Sequence, residues 1–571
     1  MKKTLLRWIT VLALLALLAV PQAYAQSAAA ASVPHIDSIG ARMDEFLQSH
    51  QDNHAAIAVA VFHGDADLYT RHFGYIDAAG TVPLDENCVL EWGSTSKLTV
   101  WLAAMQLWEQ GKLDLDADIR TYLPDVFLSN LTFDKPISML HLMNHSAGFQ
   151  ETTFVLEAAS EEDIIPLGEY LAAYQPQQVF EPGTVVAYSN WGAALAGYIV
   201  ECISDMPFSQ YVQQHIFAPL GMKHSAIAAD LSDNAYVQNK RKEFVSYLPD
   251  GTLSTENNKV FILPYPAGMC TSTLSDFAMF GKALLTRDSR LLTEKGFEQL
   301  FSPSMYYTGT DIPRAYHGFL VDYDFSVPVI GHDGNTMGGS SRLLLDLENN
   351  VGMVVLSNQL GGSLYRTGMA ELLFGKSEHH IAIDGYYVPA RGVFAGKLKM
   401  LYNLFLIRHC HITDQMVEGL YINILPDRFE ISTTDYLVPA ENYWVRDGLA
   451  VAWFVLSAAI LLISLVRVIL LVINTRKKRG ADPLNRVSAV YGLLLELSLL
   501  AIIPAVPAIA AGIYAVILGV GGVAVAIYLV ICGKKLPNNW LSKLSYWQTW
   551  SLLLCLAVTI ANYLVWELAA F

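Results

Sequence analysis

Ser94 stands three residues before Lys97 in the stretch EWGSTSKLTVWLAAMQLWEQGKL, which runs from Glu91 to Leu113. A serine that attacks a carbonyl needs a base to take its proton and donors to hold the oxyanion it creates. Leu98, Trp101, Leu102, Met105 and Trp108 recur at three- and four-residue spacing, and Gly111 is a natural stop, so the stretch reads as a helix. Ser94 is then at the helix N-terminus, where backbone N–H groups and the helix dipole favour negative charge. Lys97 is one turn on, on the same face and within reach of the Ser94 hydroxyl. A lysine serves as base when burial or a nearby cation lowers its pKa. Ser94 is equally suited to capping the helix, with Lys97 an ordinary first-turn residue.

Two further groups carry chemistry. In EPGTVVAYSNWGAA, the hydroxyl of Tyr188 can relay a proton and the amide of Asn190 can hold a substrate carbonyl. The bland alternative is a loop before a helix with Asn190 as its cap, and Tyr421-Ile422-Asn423 repeats the pattern elsewhere. In VIGHDGNTMGGSSRLLLDLENNVGMVVLSN, His332 is a donor or cation for substrate, and Gly334 lets the backbone approach closely. A surface turn is the alternative here, since His72-Phe73-Gly74 also fits His-x-Gly.

The elements around these residues suggest an α+β domain. AAIAVAVF, from Ala55 to Phe62, is a short buried strand, followed by the turn His63-Gly64-Asp65 and a second strand in DLYTRHFGYID. A helix is expected over Trp191 to Ser204, and SSRLLLDLENNVGMVVLSNQ reads as strand, Glu-Asn-Asn turn, strand. Strands early, helices in the middle and strands late imply an antiparallel sheet closed by both ends of the domain. Arg366-Thr367-Gly368 lies in an expected helix after the paired strands.

In order and spacing, Ser94-x-x-Lys97, Tyr188-x-Asn190 and His332-x-Gly334 resemble the serine β-lactamase and penicillin-binding protein family. The resemblance is to its branch of class C β-lactamases, D-Ala-D-Ala carboxypeptidases and esterases. MQLWEQGKLDLDADIRTYLP and LMNHSAGF are similar to that family too, and the likeness runs from about Ile36 to Gly375. It implies a β-lactamase-like antiparallel sheet flanked by helices, with a mostly helical subdomain. It also implies that Ser94 is acylated, that Lys97 takes its proton with help from Tyr188, and that Asn190 orients substrate. His332 and Gly334 then edge the site, and the backbone N–H groups of Ser94 and Asn335 form the oxyanion hole. His332 replaces the lysine usual in β-lactamases of this branch. A histidine is only partly charged near neutral pH, which favours esters, amides and cell-wall or D-amino-acid peptides over penicillins.

Composition sets the surroundings. The chain has 571 residues, 53% hydrophobic and 16% charged, with a formal net charge of -16, which argues against nucleic acid as a partner. Lys2, Lys3 and Arg7 precede an apolar core of about a dozen residues and the small-x-small site Ala23-Tyr24-Ala25, the pattern of a signal peptide over residues 1–25. The hydrolase domain is placed at 33–376, an extracytoplasmic connector at 377–446, and a membrane domain at 447–571. Its four spans are expected at about 448–474, 487–506, 509–532 and 547–567. Arg476, Lys477, Lys478 and Arg479, with Lys534 and Lys535, should stay in the cytoplasm and leave the hydrolase domain outside the cell membrane. Arg467 and Glu496 share a depth of roughly 13 Å in the first two spans and read as a structural ion pair or a proton path. Of six cysteines, Cys88, Cys202, Cys270 and Cys410 lie in the exported part, where one or two disulfides are compatible with the spacing. No ligand cluster implies a metal, and no cofactor is expected. The resulting expectation is a multi-pass, membrane-anchored extracytoplasmic serine hydrolase for a small peptide, amide or ester, or alternatively a β-lactam or wall-fragment receptor whose helices signal.

Overall fold

Helix α1 (Ile39–Ser49) precedes a hairpin of strands β1 (Ile57–His63) and β2 (Ala66–Phe73). The middle of the chain is helical, with α2 (Lys97–Glu109), α3 (Asn190–Ser204) and α4 (Leu274–Leu285) as its main elements. Six strands follow: β3 (Met305–Tyr306), β4 (Pro313–Tyr316), β5 (Phe319–Asp322), β6 (Val329–Asn335), β7 (Ser340–Asp346) and β8 (Val351–Ser357). Helix α5 is Ser363–Phe374. After it come β9 (Asp384–Pro389), β10 (Cys410–Thr413), β11 (Asn423–Ile424), β12 (Arg428–Glu430) and β13 (Asp435–Leu437). This computed structural model describes residues 36–51, 55–129, 131–151, 156–158, 160–254, 261–389, 410–414 and 419–437. The expected signal peptide and the four expected membrane spans, with Arg467 and Glu496, lie outside the described residues. Among the described residues no helix is long and apolar enough to cross a membrane.

The main sheet runs β2-β1-β8-β7-β6-β5-β4-β3, antiparallel throughout. Its centre is the pairing of β1 with β8, from Ile57 opposite Ser357 to His63 opposite Val351, so the two ends of the domain close the sheet as the sequence suggests. Alternation along these strands feeds two cores. Ala58, Ala60, Phe62, Leu343, Leu345, Val354 and Leu356 face the helical side with α2, α3 and α4. Ile57, Val59, Val61, Leu344, Met353 and Val355 face α1 and α5. A continuous apolar run is what a strand covered on both faces requires. The result is the β-lactamase-like α+β fold expected from the sequence.

Two details place the site. Strand β6 pairs with β5 only from Val329 to Gly331, while its bonds to β7 continue to Asn335. The stretch from His332 to Asn335 therefore has a strand neighbour on one side, and its other edge faces the turn that carries Ser94. The segment expected to be a plain connector instead contains a second sheet, β10-β9-β13-β12-β11, with its own small core of Ile383, Tyr387, Ile412, Ile422 and Phe429. Cys88, Cys202 and Cys270 are free thiols, so the disulfides allowed by the spacing do not form among them.

Candidate active site

The turn holding Ser94 is tighter than the expected α-helical start. Gly93–Ser96 is a 3-10 turn, and the α-helix begins only at Lys97. Gly93 has φ +54°, and a Cβ there would lie 2.6 Å from the backbone nitrogen of Asn335. A Cβ on Gly334 would lie 1.7 Å from the carbonyl oxygen of Trp92. Glycine at both positions lets turn and strand touch backbone to backbone. Side chains hold the contact: the Ser341 hydroxyl donates to the Trp92 carbonyl and bonds the Thr95 hydroxyl, 2.7 Å away. Behind the turn, the Trp92 N–H donates to the Cys270 carbonyl at 2.7 Å, and the Cys270 N–H donates to Ser96 Oγ at 3.0 Å.

Helix α2 is buried from Lys97 through Leu107, so the apolar stripe read in the sequence is part of an all-round core helix. Lys97 is 0% exposed. Its Nζ lies 3.0 Å from Ser94 Oγ, 2.7 Å from Asn190 Oδ1 and 2.7 Å from the Ala267 carbonyl oxygen. Burial pushes its pKa down to about 7, partly opposed by the negative charge of Glu151. A neutral amine has two N–H bonds and one lone pair. The two carbonyl oxygens take both N–H bonds, which directs the lone pair at the Ser94 hydroxyl.

Helix α3 delivers Asn190. Ser189, not Asn190, is its cap, accepting the Gly192 N–H at 2.9 Å. That leaves the Asn190 side chain to turn toward Lys97, while the Asn190 N–H donates to Glu151 Oε2 at 2.9 Å. Tyr188 sits just before the cap, in a segment bonded on two sides. The Ala187 N–H donates to the His145 carbonyl at 2.8 Å, and the Tyr188 N–H donates to the Thr433 carbonyl at 3.2 Å. The Tyr188 ring has Lys97 Nζ 4.9 Å from its centroid, the His145 ring at 4.3 Å and the His332 ring at 5.8 Å.

His332 is 5% exposed, within a strand and not in the surface turn that was the alternative. Burial and the nearby Lys97 lower its pKa to about 4, so the partial charge expected near neutrality is absent. A neutral ring placed 2.6 Å from the Asp333 carbonyl oxygen donates through Nδ1. Its Nε2 is then an acceptor, buried and without a hydrogen-bond partner among the described residues. Asp333, the next residue on the strand, pairs with Arg342 of β7 and lies 3.6 Å from Arg366 of α5. Burial pushes its pKa up, but Arg342 and Arg366 outweigh that and hold it below the usual carboxylate range.

Ser94, Tyr188, His332 and Asn335 line one cavity of about 660 Å³. The structure thus brings together Ser94, Lys97, Tyr188, Asn190, His332 and Gly334, singled out by their chemistry, and Asn335, which the resemblance implies. Sequence reasoning missed Glu151, His145 and the Ala267 carbonyl, which arrive from loops without periodicity. It also missed Leu420, Tyr421 and Ile431 to Thr434, which line the same cavity from the second sheet. Arg366 is within α5, as expected, and is no part of the cavity lining. Among the described residues, no group of three or more His, Cys, Asp or Glu is arranged to hold a metal ion.

Comparison with known proteins places the chain in a family. Penicillin-binding protein 4 of Amycolatopsis lactamdurans is 25% identical over 354 residues, covering 59% of this chain and 88% of that protein. A beta-lactamase of Pseudomonas fluorescens is 32% identical over 185 residues, or 32% of this chain and 49% of that protein. The D-amino acid amidase from Ochrobactrum anthropi SV3 complexed with L-phenylalanine superposes with TM-score 0.48 at 21% identity, covering 58% of this chain and 97% of that one. The profile of the family described as Beta-lactamase matches residues 39–375, more than half of the chain. The chain belongs to the beta-lactamase family, and it is a serine hydrolase.

Proposed function

We propose that the protein is a membrane-anchored, extracytoplasmic acyl-enzyme hydrolase of small peptides, amides or esters, with Ser94 as nucleophile and Lys97 as base. The observation that carries this reading is the Lys97 amine, buried beside Ser94 Oγ with both its N–H bonds committed to carbonyl oxygens. In the first step the Ser94 proton moves to Lys97 Nζ as Oγ bonds the substrate carbonyl carbon. The oxyanion meets the backbone N–H groups of Ser94 and Asn335, a pairing supported by the close approach of Gly93 to the Asn335 backbone. The carbon–leaving-group bond then breaks, and the leaving group takes the proton held by Lys97, with Tyr188 as relay. Water repeats the sequence on the acyl-enzyme and releases the acid. Asn190 bridges Lys97 and the substrate carbonyl.

The neutral state of His332 bears on substrate choice. A buried acceptor at Nε2 suits an N–H or O–H of the substrate and gives no charge to a carboxylate. Uncharged esters and amides fit this better than penicillins, although relatives carry penicillin-binding names. The extracytoplasmic site is supported by the signal-like residues 1–25 and by the Arg476 to Arg479 cluster beside an apolar span.

Intact mass of the full-length chain after treatment with a fluorophosphonate probe, beside Ser94→Ala, tests the reaction. One adduct lost in the variant is expected. A folded wild-type chain that takes no adduct overturns the assignment. Cleavage of the hydrolase domain by protease added to intact cells tests its location, and full protection would place it inside.

A further inference from the structure

The family match ends at residue 375, yet the cavity around Ser94 does not close there. Leu420, Tyr421, Ile431, Ser432, Thr433 and Thr434 form one side of it. We propose that the segment 419–437 is the substrate-selecting wall of this active site and that it favours acyl groups bearing an uncharged apolar or aromatic side chain. The proposal rests on the hydrolase reading above and deepens it.

Three observations carry it. First, the wall is bonded to the catalytic segment itself. The Tyr188 N–H donates to the Thr433 carbonyl at 3.2 Å, the Asp435 N–H donates to the Val186 carbonyl at 2.8 Å, and Ala187 bridges Thr434. Thr433 is therefore held against the tyrosine beside Lys97, and it lines the cavity that Ser94 also lines. Second, the wall is fixed and is no loose flap. Arg314 and Asp435 pair at 2.8 Å with side chains only 3% and 2% exposed, and Arg314 also donates to the Ser432 and Ile431 carbonyls. Farther along, the Thr308 N–H donates to Glu430 Oε2 at 2.9 Å, and the Tyr421 N–H donates to Asp324 Oδ1 at 3.2 Å. An ion pair this deep is expensive to break, which favours one geometry for the wall.

Third, the chemistry of the lining points to neutral groups. The wall contributes two aliphatic side chains, one tyrosine and three hydroxyls. Leu320, Leu344 and the ring of Tyr307 add apolar surface. The charged groups of the lining are three carboxylates and one guanidinium: Asp333 pairs with Arg342, Asp322 lies 3.6 Å from it, and Asp324 accepts the Tyr421 N–H. Burial pushes the Asp322 and Asp324 carboxyls up toward the neutral acid, so among the described residues the cavity offers no free cation to an anionic acyl group. At about 660 Å³ the cavity is in the range of small-molecule pockets, roughly 300–1,000 Å³, and suits a small acyl group with one side chain.

The test compares p-nitrophenyl acetate with p-nitrophenyl phenylacetate on the full-length chain in mild detergent. Wild type should favour the phenylacetyl group. Thr433→Trp, which fills the wall while keeping its backbone bond, should lower the phenylacetate-to-acetate ratio of kcat/KM at least tenfold. Ser432→Trp carries the same test should Thr433→Trp fail to fold. A ratio within twofold of wild type in a variant that still takes fluorophosphonate at Ser94 overturns the wall. A wild-type chain that neither labels nor turns over either ester overturns the hydrolase reading and the wall with it.

Discussion

The pH dependence of Ser94 acylation should report the ionisation of Lys97. An exposed lysine titrates near 10.5, and here burial brings the value to about 7. Each tenfold change is about 1.4 kcal/mol, so the fold spends about 5 kcal/mol to keep this amine neutral at pH 7. In return about half of the molecules carry a free base at pH 7, roughly a thousandfold more than an ordinary lysine offers. The rate constant for fluorophosphonate labelling, followed by intact mass, should climb about tenfold per pH unit up to 7 and then level off. Lys97→Met should lower the plateau by a factor on the order of 10²–10⁴, the usual worth of a positioned base. Stability moves in the matching direction. Between 7 and 10.5 the unfolded chain holds a proton that the folded chain has released, so stability rises with pH across that window. Below 7 both states are protonated and the whole penalty is present. Lys97→Met should therefore raise the unfolding temperature at pH 6 while removing activity. A labelling rate that keeps climbing beyond pH 9, or one flat from pH 5 upward, would refute the assignment of Lys97 as base.

Glu151 raises the Lys97 pKa by its charge, so Glu151→Gln should move the labelling midpoint to lower pH while its side chain still accepts the Asn190 N–H. Gly334→Ala would put a methyl group 1.7 Å from the Trp92 oxygen, and the forced separation of strand and turn should cost about 3 kcal/mol in urea unfolding and abolish labelling. His332→Lys would place a second cation near Lys97 and give a substrate carboxylate a partner. Acylation by benzylpenicillin should then gain on p-nitrophenyl acetate hydrolysis, with a stopped-flow comparison of the two as the check.

The legible part of the site was the part written in side chains at short spacing. Ser94 and Lys97 share one helical turn, and Tyr188 and Asn190 share one helix entry, so local geometry brings each pair together. Strands β1, β7 and β8 were legible because a run buried on both faces is apolar at every position. The state of His332 was not, because it depends on burial by elements far along the chain. Ser189 takes the cap that the bland alternative gives to Asn190, and the Asn190 amide instead meets Lys97. The wall was hidden for a different reason. Thr433 reaches the Tyr188 segment through its backbone carbonyl, and Asp435 through its N–H and a carboxylate that accepts the Val186 N–H, contacts between distant parts of the chain that no local spacing encodes. Tyr421, read as part of a chance repeat of Tyr-x-Asn, lines the same cavity as Tyr188.

The pairing of β1 with β8 also sets a schedule for the growing chain. Ile57 is made early, and its partner Ser357 is made late. At roughly 5–20 residues per second, β1 waits tens of seconds for the strand that covers its edge. Over that interval an apolar ribbon with unsatisfied backbone groups is open to mispairing. On the proposed mechanism Ser94 should be silent throughout, because the contact that shapes its turn comes from Asn335 and Gly334, which the ribosome has yet to add. Synthesis itself would then keep Ser94 inert until the sheet shuts around it.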